Sequence, residues 1–124
     1  MKLQTYPSTL AGSVEMPGSK SHTIRAVAAA ALAEGDSRIE APLISADALA
    51  AAGAYQAMGA TVDTRDDAIW RITGAAGRLQ APADVIDVGN SGTTLRMAVG
   101  SAALIREGAA RFTGDAQIQR RPIG

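Results

Sequence analysis

Apolar positions along the chain fall into short segments, nearly all of them closed by glycine, proline or a small polar cluster. Ile24 to Leu32 is a run of aliphatic and alanine residues. Ser19-Lys20-Ser21 ahead of it offers a serine N-cap, and Gly35 offers a left-handed stop. Past Arg25 this helix is apolar on almost every face, which predicts burial all round. A second alanine-rich helix opens at Ser45-Ala46-Asp47 and ends at Gly59. A third runs from about Thr93 to Arg106 and stops at Gly108. Extended segments are expected at Ser13–Met16 (stopped by Pro17-Gly18), Ser37–Ala41, Ala60–Thr64, Ala68–Thr73, Val85–Val88 and Ala110–Thr113. Arg65-Asp66-Asp67 joins the third and fourth of these. Gly74 to Gly77 reads as a loop, and Gly114 to Gly124 as a polar tail. The order is β-α-β-α-β-β followed by β-α-β, an α/β pattern.

Composition sharpens this picture. Of 124 residues 27 are alanine and 13 glycine, while aromatics make up 3%. A core so poor in large side chains has to close by tight approach of small ones, which favours packed, buried helices. Twelve basic residues balance twelve acidic ones, so bulk charge gives no pull toward nucleic acid or an anionic membrane. The absence of cysteine excludes disulfides, thiol catalysis and sulfur-based zinc sites, and a single histidine, His22, argues against a histidine metal cluster or a Ser-His-Asp triad. The apolar run Ala26–Ala33 is far short of the roughly 20 residues of a spanning helix. The N-terminus has no apolar signal core. A cytoplasmic location, with no membrane or nucleic-acid partner, is the expectation.

The chain also repeats itself. Gly18-Ser-Lys-Ser-His-Thr-Ile-Arg25 aligns without gaps on Gly89-Asn-Ser-Gly-Thr-Thr-Leu-Arg96, 71 positions on; one inserted residue later, Ala30-Ala31-Leu32 matches Ala102-Ala103-Leu104. Each copy runs a strand into a Gly-polar turn and then a helix. Helix starts leave unpaired backbone N–H groups and carry partial positive charge, and small residues let an anion come close. Both turns are therefore candidate cradles for phosphate or carboxylate. Lys20 adds a full charge to the first, and Ser21 and Arg25, four residues apart, share a helix face. Ser19 between Gly18 and Lys20 departs from a nucleotide P-loop, and no G-x-G-x-x-G occurs.

Blander readings stand beside these. A Gly-Ser turn is also an ordinary cap, Arg96 could pair with a neighbouring acid, and His22 and Asp47 could be simple first-turn residues. Trp70 is expected to cover an edge of the core. In the tail, Arg120-Arg121-Pro122 places two guanidinium groups on a stiff extended segment, suited to a carboxylate or phosphate or to plain solvation.

Together these motifs resemble the 5-enolpyruvylshikimate-3-phosphate synthase family. The matching stretches are Pro17-Gly-Ser-Lys-Ser-x-x-x-Arg25, Ala30-Ala-Leu-Ala-x-Gly35, Ser45-x-Asp47, Met58-Gly-Ala60, Gly89-Asn-Ser-Gly-Thr-Thr-Leu-Arg96 and Thr113-Gly-Asp-x-x-x-x-x-Arg121-Pro-Ile-Gly124, in the family's order. The resemblance covers roughly the first third of a typical member. It implies an inside-out α/β fold of β-α-β-α-β-β units with helices inside and sheets outside. Residues 17–88 would form one unit and 89–124 the start of a second, with 1–16 a strand segment belonging to another domain. It further implies transfer of the enolpyruvyl group of phosphoenolpyruvate to the 5-hydroxyl of shikimate 3-phosphate, without metal or organic cofactor.

By the same resemblance Lys20, the catalytic candidate, contacts both substrates, Ser21 and Arg25 hold shikimate 3-phosphate, and Asn90, Gly92 and Arg121 hold phosphoenolpyruvate. Glycine at 92 matches glyphosate-sensitive members. Met97 stands where many members have proline, and Ser91 where alanine is common. The family's remaining substrate-binding and proton-transfer groups are expected beyond Gly124, so the chain alone is expected to be inactive. Two alternatives remain at this stage. One is the related UDP-N-acetylglucosamine enolpyruvyl transferase, which typically has Lys-Asn in place of Lys20-Ser21. The other is a non-catalytic anion-binding or assembly fragment that docks on a complementary chain or on itself.

Overall fold

The computed structural model describes residues 1–122; Ile123 and Gly124, which end the tail motif, lie outside the described residues. Three helices carry the core: α1 (Lys20–Leu32), α2 (Ala46–Ala57) and α3 (Gly92–Ala102). Serines cap all three, with Oγ of Ser19, Ser45 and Ser91 accepting from the backbone N–H of His22, Ala48 and Thr94. Five strands accompany them: β1 (Glu34–Glu40), β2 (Thr61–Asp63), β3 (Ile69–Ala75), β4 (Ile86–Asp87) and β5 (Phe112–Thr113). A 3-10 turn spans Ile118–Arg120.

Strands β1, β3 and β2 form an antiparallel sheet in that order, and β4 and β5 form a separate parallel pair. Strand alternation decides which side chains face the helices. Register sets Ile39 opposite Trp70 and Ser37 opposite Ile72 on the face toward α1 and α2, while Arg38 faces Arg71 and Asp36 faces Thr73 on the outer side. The Thr73 hydroxyl donates to Asp36 at 2.6 Å, and Glu40 lies 3.6 Å from the Arg38 guanidinium, relieving the like-charge pair. Just past β2 the Arg65 guanidinium donates to both carboxylate oxygens of Asp63, the last residue of the strand, and holds that carboxyl well below the usual carboxylate range.

Alanines make the helix packing possible. Ala28, Ala31, Ala48, Ala51 and Ala54 are buried where α1 and α2 meet the core, filled out by Ile24, Val27, Tyr55, Met58 and Ile72. Tyr55 of α2 reaches Ser101 of α3, 2.8 Å from hydroxyl to hydroxyl. Burial pushes the Tyr55 phenol up from its ordinary range, and the Ser101 bond pulls the other way.

Several sequence expectations shift. Ser13–Met16 is not a strand: residues 1–18 have no regular structure, and Leu3, Leu10, Val14 and Met16 are exposed. A strand needs a hydrogen-bonded neighbour, and none of the described elements pairs with this segment. Gly35, at φ +83°, is the second residue of β1 and not the stop of α1, which ends at Leu32 with Ala33 as its cap. Gly74 belongs to β3, which runs on beneath the end of α1, where Ala76 and Gly77 donate to the carbonyls of Ala33 and Leu32. Those carbonyls would otherwise be orphaned. α3 ends at Ala102, because Ala103, Leu104 and Ile105 tighten to bonds three residues back. Trp70 is wholly buried instead of covering an edge, and its indole N–H finds no acceptor among the described residues.

Candidate functional site

The first residues of α1, α2 and α3 converge. The Ser91 hydroxyl donates to Thr94 Oγ1 at 2.7 Å, and Thr94 in turn donates to the Asp47 carbonyl at 3.1 Å, a buried chain tying the cap of α3 to the first turn of α2. Lys20 is the first residue of α1, and its Nζ lies 2.6 Å from Asp47 Oδ2. A cation is unfavourable at the positive end of its own helix, and Asp47 offsets it. The first turns of α1 and α3 contain no acid, so their partial positive charge remains to be met by something else.

Between these helix starts lies a cavity of about 430 Å³, lined by Lys20, Asp47, Asn90, Gly92, Thr93, Arg96 and Arg121. Three cations against one carboxylate, which is already paired, make an anion the complementary guest. A cavity of similar size between α2 and residues 82–87 has the reverse character, with Asp84 and Asp87 and no cationic side chain in its lining.

The turn before α3 is held from the tail. Gly89, at φ +55°, accepts from Asp115 N–H at 3.0 Å, and a methyl at Gly114 would stand 2.4 Å from the Gly89 carbonyl oxygen. That closeness admits only glycine at 114. Asp115 then accepts from the N–H groups of Gln117 and Ile118 and sets the 3-10 turn, with Ile118 buried. Arg121 follows and reaches back to Asn90 Oδ1 at 3.2 Å. Arg96 donates to the carbonyls of Gly92 at 3.4 Å and Pro122 at 3.2 Å, tying α3 to the tail.

Of the residues singled out from sequence, Lys20, Asn90, Gly92 and Arg121 line one cavity. Ser21 and Arg25 do not join its lining. Ser21 is half-buried and Arg25 exposed on the first two turns of α1, with the guanidinium donating to the Ser21 carbonyl at 3.3 Å. Three partners were not assigned to the site from sequence: Asp47, Arg96 and Thr93. Asp47 was visible within Ser45-x-Asp47 and Arg96 within the repeat, but only the fold brings them to Lys20 and to the tail. The repeat itself is re-registered, since the structural caps are Ser19 and Ser91, one position off the gapless alignment. The extra residue therefore lies in the second turn, and Arg25 and Arg96 occupy different positions on their helices. Among the described residues no three His, Cys, Asp or Glu side chains gather as a metal-binding group, and no helix is long and apolar enough to cross a membrane.

Comparison with known proteins places this geometry. A family model described as EPSP synthase (3-phosphoshikimate 1-carboxyvinyltransferase) matches residues 4–124. The 3-phosphoshikimate 1-carboxyvinyltransferase of Acetivibrio thermocellus is 51% identical over 124 residues, covering 100% of this chain and 29% of that protein. The Ruminiclostridium cellulolyticum protein of the same name is 45% identical over the same coverage. A solved EPSP synthase from Acinetobacter baumannii superposes with a TM-score of 0.79 at 32% identity, over 90% of this chain and 26% of that one. The chain thus spans little more than a quarter of the length of the proteins it matches. Identity across its full extent and a shared mixed α/β architecture agree, and the chain belongs to the EPSP synthase family.

Proposed function

We propose that this chain carries one wall of an enolpyruvyl-transfer site, which joins the 5-hydroxyl of shikimate 3-phosphate to the enolpyruvyl group of phosphoenolpyruvate and releases phosphate. Phosphoenolpyruvate lies in the cavity, with Lys20 beside its phosphate, Arg121 clamping it, and Asn90 and Gly92 against it. Lys20 also touches shikimate 3-phosphate, which Ser21 and Arg25 hold along α1. The observation that carries this reading is the meeting of Lys20, Asn90, Gly92 and Arg121 around one cavity at the starts of α1 and α3, whose first turns contain no acid. Fixed cations and helix dipoles aimed at two polyanions lower the cost of bringing them face to face. Glyphosate, an anion of similar charge, competes for the same place, and the protein works in the cytoplasm.

Among the described residues, the sole carboxylate in the cavity lining is that of Asp47, and Lys20 engages it. No free acid is left there to move a proton, so this wall binds without turning over by itself. Residues 17–88 and 89–124 act as one repeat unit and the start of the next, residues 1–16 belong to the other domain of the full-length enzyme, and the chain by itself docks on a complementary chain or on a second copy. Leu3 at 82% and Leu10 at 91% exposure favour that docking.

Calorimetric titration with phosphoenolpyruvate, then with shikimate 3-phosphate, tests the assignment. Saturable binding of both is expected, lost for shikimate 3-phosphate in Arg25→Ala, with no phosphate released when both are present. Absence of binding to either substrate would overturn the assignment, and release of phosphate would overturn the claim that the wall is inactive alone.

A further inference from the structure

Asn90 enters the cavity with both ends of its carboxamide held. Arg121 Nη2 donates to Oδ1 at 3.2 Å, and Nδ2 donates to Gln117 Oε1 at 2.9 Å. Arginine offers donors only, so the group facing it has to be the Asn90 oxygen. The planar amide then turns its nitrogen the other way, and Gln117 answers with oxygen. Gln117 is itself well seated: its N–H and that of Ile118 both donate to Asp115 Oδ1 at 2.9 Å, and Ile118 is buried. A polarity chain thus runs from Arg121 through Asn90 to Gln117.

From this geometry we propose that Gln117 is a positioning residue: it fixes the Asn90 amide with its oxygen on Arg121, one N–H on Gln117 and the second N–H left to meet the anion. Without Gln117 the amide is held by Arg121 alone, and once that guanidinium turns to the anion the amide can rotate and present oxygen to the ligand, which repels a phosphate or carboxylate. The inference rests on the phosphoenolpyruvate reading of the cavity. It adds a residue in the tail that governs how the turn before α3 receives its guest.

Gln117 is exposed, so substitutions there leave the fold intact, and two variants separate geometry from charge. Gln117→Met removes the acceptor at similar size; Gln117→Glu keeps an acceptor and adds charge. The first readout is the pair of Asn90 side-chain N–H resonances in the ligand-free protein, identified by their loss in Asn90→Ala. In the parent and in Gln117→Glu the two are expected to stay well separated, whereas in Gln117→Met they move toward those of a freely solvated asparagine. The second readout is phosphoenolpyruvate affinity, expected to fall about fivefold in Gln117→Met, the worth of one neutral hydrogen bond. In Gln117→Glu it falls by an amount that shrinks with added salt. Unchanged Asn90 resonances in Gln117→Met would overturn the positioning role. If the parent protein binds no phosphoenolpyruvate, the cavity assignment fails, while the resonances still decide what Gln117 does to Asn90.

Discussion

Arg121 lies directly over the Cα of Gly92: a methyl built on that glycine would stand 2.9 Å from Arg121 Nη1 and 3.3 Å from Arg96 Nη1. Both atoms are ends of flexible side chains, so the backbone can stay while the guanidinium groups withdraw. Gly92→Ala is therefore expected to leave the melting temperature within about 2 °C of the parent, since a surface-facing methyl typically costs little. Phosphoenolpyruvate affinity is expected to fall about tenfold, the scale of one displaced charge-assisted hydrogen bond. Glyphosate affinity should fall further, because the longer ligand has less slack. Paired titrations check this, and equal losses for both ligands would contradict the steric argument.

Lys20 and Asp47 form an ion pair half open to solvent, with side-chain exposures of 50% and 22%. Such a pair adds at most about 1 kcal/mol to stability, so its weight is functional. Lys20→Met is expected to weaken phosphoenolpyruvate binding by at least about tenfold with only a small shift in melting temperature. Urea unfolding and calorimetry on one sample separate the two effects. A large stability loss with unchanged affinity would make the lysine a purely structural residue.

Tyr55 links α2 to α3 and sets an alkaline limit. Burial raises its folded-state pKa above the ordinary value of about 10. Its contribution is thus complete below pH ~10 and lost as pH rises through the raised value. Tyr55→Phe removes that loss, and it leaves the Ser101 hydroxyl without its 2.8 Å partner. The variant is expected to be about 1 kcal/mol less stable at neutral pH and to narrow that gap above pH ~10. Urea unfolding across that range decides it; parallel pH profiles would show that Tyr55 does not titrate with unfolding.

Gly74, like Gly114, is a position where a side chain has no room. A methyl there would stand 2.2 Å from the Ala33 carbonyl oxygen and 2.4 Å from that of Ala30. These are backbone atoms at the end of α1, and neither can swing aside. Gly74→Ala is expected to cost more than about 3 kcal/mol and to lower the melting temperature by at least about 10 °C, whereas Gly53→Ala, with nothing within 4 Å, is expected to be neutral or stabilising. Thermal melts of the two variants test the contrast.

Local chemistry made much of this fold legible. Serine caps at 19 and 45 marked two helix starts, and the run from Ile24 to Leu32 announced a helix; the expected burial all round does not hold, because α1 buries the side carrying Ile24, Val27, Ala28 and Ala31 while Ala29 is exposed and Ala26 and Leu32 are half-buried. Lys20, Asn90, Gly92 and Arg121 were candidates because they begin helices or lie in segments beside them, in an order that resembles the family's. What escaped depended on distant contacts. Asp47 meets Lys20, and Gln117 meets Asn90, only after two helices and a tail have packed. Gly74 looked like a loop because nothing local reveals that β3 must continue beneath α1. Ser13–Met16 has the alternation of a strand but no neighbour among the described elements, and alternation supplies a face without supplying a partner.

The burial of Trp70 also equips the molecule with its own optical reporter. It is the single tryptophan of the chain, fully enclosed on β3 opposite Ile39 with its ring nitrogen kept from water. Its fluorescence belongs at the blue end of the indole range and moves red only when the sheet parts from the helices. Because that ring lies away from the cavity lining, emission colour follows opening of the core and stays silent to an anion seated among the helix starts.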